Sequence, residues 1–127
     1  MADEPAAEPR GVFNPRVVDL VSWDAEREEV LLTMLEVRPW ESDEEQLRQL
    51  EDKFNAYLSY VLDGHMVQQY PEYEGCRVRF ELECASSPRE DERPFLTAMG
   101  NFAAAEQIEF VVTVTADGGA ARPVLDS

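Results

Sequence analysis

Chemistry in this chain has to come from a short roster of side chains. His65 is the single histidine and Cys76 and Cys84 are the only cysteines, so any Ser-His-Asp or Cys-His arrangement must use His65. That residue follows Gly64 at a helix end and reads as a solvated C-terminal group interacting with the helix dipole. A structural zinc site needs four Cys or His ligands, and the chain has three in total. Glu41, Asp43, Glu44 and Glu45 are oxygen donors of the kind that hold Mg²⁺ or Ca²⁺. Their spacing matches no EF-hand loop, and acids in a first helical turn each complement the macrodipole by about 0.3–1 kcal/mol. Capping is therefore the stronger reading, and Glu90, Asp91 and Glu92 read the same way. Asp19 stands apart. It sits between Val18 and Leu20 in an apolar run, and is the one carboxylate whose surroundings could tune it for acid/base work. The alternative places Val17, Asp19, Val21 and Trp23 on an open sheet face, with Asp19 wet or paired to an arginine across strands. A P-loop, a dinucleotide fingerprint and a nucleophile elbow are all absent. The expectation is no catalytic set, no cofactor and no metal, with Asp19 or His65 as the acid/base if the protein is a small enzyme after all.

The elements that would position these groups follow from hydrophobic period. Residues 17–23 and 30–37 are β-branched, apolar-rich runs separated by a polar stretch, a hairpin signal. Ser42-Asp43-Glu44-Glu45 has the form of a capping box. Leu47, Leu50, Phe54, Tyr57, Leu58 and Val61 then follow at helical spacing, and Gly64 supplies a left-handed stop. Cys76, Val78, Phe80, Leu82 and Cys84 alternate with Arg77, Arg79, Glu81 and Glu83, which predicts a strand with one buried and one wet face. Phe95, Leu96, Met99, Phe102 and Ala103 return to helical spacing, and Pro94 belongs in the first turn, so this helix is expected to start near Asp91. Residues 108–115 close the series as a strand. The order ββαβαβ, with two helices each carrying one apolar stripe, predicts an α+β two-layer sandwich: a four-stranded sheet with both helices on one face. Right-handed crossovers suggest sheet order 1-2-3-4, while the connection through residues 65–75 is long enough to reverse strand three. The domain spans 17–115, between flexible tails at 1–16 and 116–127.

Charge excludes more than it selects. The 127 residues include 27 acids and 11 bases, for a formal charge of −16. A surface this negative repels nucleic acid and anionic membranes, which need a basic patch, so neither is an expected partner. With 44% hydrophobic residues the chain has enough apolar material to fold as one domain. Apolar runs fall far short of the roughly 20 residues of a membrane span, and the start Met1-Ala2-Asp3-Glu4-Pro5 lacks an export signal. In an extended strand Cys76 and Cys84 stand about 26 Å apart, too far for a disulfide. Two reduced, inward-facing thiols fit a cytoplasmic protein. The negative field is uneven: residues 40–75 hold nine acids against two bases, and 76–115 hold seven against four.

The run Val17-Val18-Asp19, then Trp40 to Glu44, then Asn55-Ala56-Tyr57-Leu58 with Gly64 and Tyr70-Pro71, resembles a family of small acidic bacterial proteins with a domain of unknown function. The resemblance extends from Val17 to about Thr115, and Pro94 departs from its pattern. It implies a bacterial single-domain protein and supplies no activity and no site residues.

Aromatic and apolar content gives a better functional lead than any catalytic group. If Val18, Leu20, Val30, Leu32 and Met34 face the helices, the other hairpin face presents Val17, Val21, Trp23, Leu31, Leu35 and Val37. Contiguous apolar exposure marks an interface, unless a tail or residues 70–75 folds over it. The leading expectation is a non-catalytic cytoplasmic protein-interaction domain, binding a protein partner or forming a homodimer through Val21, Trp23, Leu31, Leu35 and Val37. A second is an acidic antagonist of a basic protein, immunity-like or a nucleic-acid mimic, with the first helix as its surface. A single lysine, Lys53, among so many acids also fits a salty cytoplasm, in which case the charge carries no information about partners.

Overall fold

Two β-branched runs close on each other as a hairpin. β1 (Leu20–Asp24) and β2 (Glu29–Glu36) pair antiparallel in the computed structural model, which describes residues 18–40, 44–114 and 122–123. Asp24 sets the turn: its Oδ1 accepts from the amides of Glu26 at 3.1 Å and Arg27 at 3.2 Å, as Asp side chains do at turn starts. β3 (Arg77–Cys84) runs parallel to β2, and β4 (Glu109–Val114) parallel to β3. Parallel neighbours need crossovers. The first carries α1 (Glu44–Leu62), α2 (His65–Gln69) and a 3₁₀ turn (Pro71–Tyr73); the second carries α3 (Arg93–Ala105). A two-residue β5 (Arg122–Pro123) pairs antiparallel with β4, giving the order β1-β2-β3-β4-β5.

The fold is mixed α+β, as the periodicities required, with three helices where two were expected. Residues 65–75, which left the direction of strand three open, hold α2 and the 3₁₀ turn, and β3 is not reversed. A fifth, two-residue strand joins the expected four from within the stretch assigned to the C-terminal tail. Its proline lies at a sheet edge, where a missing amide is tolerated. Gly64 takes φ +87° after α1, the left-handed stop that its position predicted. Pro94 falls in the first turn of α3, which begins at Arg93, two residues after the expected start. The capping box at Ser42 and the N-terminal tail lie outside the described residues.

Both long helices meet the sheet on one set of side chains. Phe54 of α1 packs edge-on against Phe80 at 5.9 Å and Phe110 at 5.7 Å, and Tyr57 meets Phe80 at 5.6 Å. Gly100 of α3 lies so close that a Cβ there would sit 3.7 Å from the Phe110 ring. Val30, Leu32, Met34, Val78, Leu82 and Val112 share that face and are buried. The entry to α1 is tied down by polar contacts. Glu36 is 1% exposed and takes a bidentate pair from Arg38, whose Nη1 donates to Gln49 on α1 at 2.7 Å. Gln46 donates to the Pro39 carbonyl at 3.2 Å. Because Phe54 bridges β3 and β4, Phe54→Ala should lower unfolding free energy by about 3–5 kcal/mol, read from urea denaturation.

Candidate functional site

The one acid singled out as a possible acid/base is buried in a polar knot. Asp19 is 1% exposed. Its Oδ1 accepts from Lys53 Nζ at 2.9 Å and its Oδ2 from the Leu35 amide at 2.9 Å. The Asp19 amide donates to Tyr57 Oη at 2.8 Å, and that hydroxyl donates to the Thr33 carbonyl. Lys53 and Tyr57 come from α1, Leu35 and Thr33 from β2, so the knot joins the chain ahead of β1 to both. Burial pushes the Lys53 ammonium below its ordinary value, with the hydrogen bond and charge of Asp19 pulling the other way. Burial also holds the Tyr57 phenol well above its usual range. Both Asp19 oxygens are engaged and screened from solvent, which makes this a fastening and gives a solute no route to the carboxylate.

The knot inverts the expected phase of β1. The register pairs Val21 with Leu32 and Trp23 with Val30, and directly opposed residues share a face. Val21 and Trp23 therefore lie on the helix side, together with Asp19, while Leu20 and Ser22 lie on the other. Reading Asp19 as solvated assigned its whole alternating set to the open face; Lys53 removes the need for solvent. The signal was present, since Lys53 occupies the apolar stripe of α1 at the spacing Leu50, Lys53, Phe54, Tyr57. Trp23 is 44% exposed at the sheet edge and stacks on Tyr73 at 5.8 Å and 11°, so the 3₁₀ turn in residues 70–75 does cover part of the expected interface. Val18 is half-buried, and the proposed anchors Leu31 and Leu35 remain together on the second face of β2. Val37, just past β2, is 64% exposed.

That second face interleaves apolar and charged side chains. Leu20, Leu31, Leu35 and Val111 lie among Thr33, Glu81, Glu83 and Thr113. Toward the starts of the parallel strands, Arg79 reaches Asp24 at 3.0 Å and lies 3.1 Å from Glu29 Oε2, outside hydrogen-bond geometry for that second pair. Arg27 approaches Glu109 at 3.7 Å, and Arg77 donates to the Arg27 carbonyl at 2.9 Å. Three arginines thus stand against five carboxylates (Asp24, Glu29, Glu81, Glu83 and Glu109), a much milder balance than that of the whole chain.

The remaining candidates stay apart. His65 is exposed as the first residue of α2, a start rather than the C-terminal end expected for it. Cys76 and Cys84 are both free, the first half-buried and the second buried. Burial pushes the Cys84 thiol up to about 12, reinforced by Glu36, Glu83 and Glu92 and opposed by the Trp40 indole, so it is a poor nucleophile at neutral pH. Among the described residues, no group of three or more His, Cys, Asp or Glu is placed to hold a metal ion, and no helix is long and apolar enough to cross a membrane.

A mixed α+β domain with this helix-fastened hairpin is the class the geometry defines. The chain belongs to a family of unknown function (DUF6572), whose model matches residues 11–116. No curated protein and no solved structure matches the chain.

Removing one half of the buried pair should be far worse than removing its charge entirely. Lys53→Met alone should cost about 3–5 kcal/mol, and adding Asp19→Asn should recover most of it; urea denaturation of the two variants measures the difference. Cys84 gives a pH signature. Its folded-state thiol keeps its proton between the ordinary 9.0 and about 12, where an unfolded thiol has lost it, so this stabilisation is complete below 9 and disappears as pH rises through 12. Urea midpoints should fall across that window, and the fall should be shallower in Cys84→Ala.

Proposed function

We propose that the domain is a two-layer sandwich whose helix-free sheet face binds protein without catalysis, and that the partner is a second copy of the chain. The alternation in β3 carries this reading. Parallel strands covered on both faces read as continuous apolar runs, whereas Arg77, Arg79, Glu81 and Glu83 occupy every second position of β3. Beside them Leu20, which is 41% exposed, Leu31 and Leu35 offer the apolar centre that interfaces require. Charge favours self-association through this face over any other. Two copies at −16 each repel, and the repulsion is least where arginines interleave with the acids and already neutralise their neighbours. A two-fold contact would place the same patch on both sides. In this reading Leu20, Leu31 and Leu35 are the anchors, and Trp23 and Val21 serve the fold.

Light scattering at rising protein concentration tests the reading. A mass approaching twice the monomer is expected, reached at lower concentration as salt screens the repulsion. Leu35→Glu should return the protein to monomer with its melting temperature little changed. A wild-type monomer at every concentration and salt, or a dimer indifferent to Leu35→Glu, would overturn it.

A further inference from the structure

α1 and α3 leave a depression between them that the sheet-face reading does not use. It is lined by Glu44, Leu47, Arg48 and Glu51 of α1 and by Phe95 of α3. Phe102 lies seven residues beyond Phe95, two turns along the same side of α3, and is 69% exposed, the most exposed large apolar side chain among the described residues. Leu47 and Phe95 are the apolar part of the depression, and Phe102 continues the Phe95 side of α3 beyond it. Its rim is acidic. Arg48 is drawn to Glu45 at 3.1 Å, whereas Glu44 and Glu51 make no ion pair among the described residues.

We infer that this groove receives a cationic amphipathic helix of a partner protein, its apolar stripe on Leu47, Phe95 and Phe102 and its lysines or arginines facing Glu44 and Glu51. Helix-in-groove recognition uses apolar anchors at i, i+3, i+4 and i+7, and Phe95 and Phe102, seven positions apart on α3, offer such a stripe something to lie on beside the acids of α1. Charge selects its chemistry: a rim with two carboxylates that no described residue neutralises, on a chain of −16, attracts a basic partner over a long range and repels an acidic one. A second copy of this chain is disfavoured at the groove by the same field that the sheet face moderates.

The two surfaces respond oppositely to salt, which keeps their tests separate. A fluorescent 18-residue Lys/Leu peptide with leucines at helical spacing is titrated into the full chain and followed by anisotropy. Binding at low ionic strength is expected, weakening as salt rises. The double variant Glu44→Gln, Glu51→Gln should weaken it about fivefold, with its melting temperature lowered only slightly by the loss of one first-turn acid, and Phe102→Ser should weaken it by at least about fivefold with the melting temperature unchanged. The removal of two exposed acids elsewhere, Glu72→Gln and Glu74→Gln, should have a smaller effect. No binding at low salt overturns the inference. So does equal binding of a scrambled peptide of the same composition, equal loss with the Glu72 and Glu74 changes, or indifference to Phe102→Ser.

Discussion

A carboxylate and an ammonium that both have no exposed side-chain surface cannot be left apart, because either charge alone in an apolar interior costs several kcal/mol. Asp19 and Lys53 are held to that condition, and much else follows from it. Asp19 precedes β1, Lys53 sits in the middle of α1, and the second carboxylate oxygen takes the amide of Leu35 on β2. Tyr57 closes the ring by accepting the Asp19 amide and donating to Thr33. A strand of five residues at a sheet edge has little apolar area of its own to set its register. The knot supplies that register, since a slip by one residue would turn Asp19 away from Lys53 and leave both charges stranded.

The register in turn decides which side chains each face of the sheet presents. With Asp19 inward, Val21 and Trp23 go to the helix side as well, and Tyr73 of the 3₁₀ turn stacks on the Trp23 ring, which stays 44% exposed. Leu20 is turned outward beside Leu31 and Leu35. The second face becomes a mixed surface, with leucines among Glu81 and Glu83 at one end and Arg79, Asp24, Glu29 and Arg27 at the other. Its charges largely answer one another, so the unbalanced negative field is left to the helices, where Glu44 and Glu51 border the depression between α1 and α3.

Legibility differed by element for physical reasons. β3 and α1 were plain because each buries one face against the core and wets the other, and that asymmetry is written directly in their periods. α2 and the 3₁₀ turn were not, because elements of five and three residues are too short to establish a period. The face on which each candidate interface residue lies was half legible. Leu31 and Leu35 belong to a long strand whose phase was unambiguous, and they lie where they were expected. Val21 and Trp23 belong to a short strand whose phase hung on the reading of one acid.

The sequence by itself determined the class of the fold, the amphipathic helices, the buried set Val78, Phe80, Leu82 and Cys84, and a net charge of −16. These are properties of local period and composition, and no distant residue can alter them. Tertiary structure alone decided that Asp19 meets Lys53, separated from it by 34 positions, and that β3 runs parallel to β2. It also decided which residues of β1 face outward. Each of these depends on a pairing between remote segments, and a carboxylate reads as solvated until the cation that neutralises it is placed beside it.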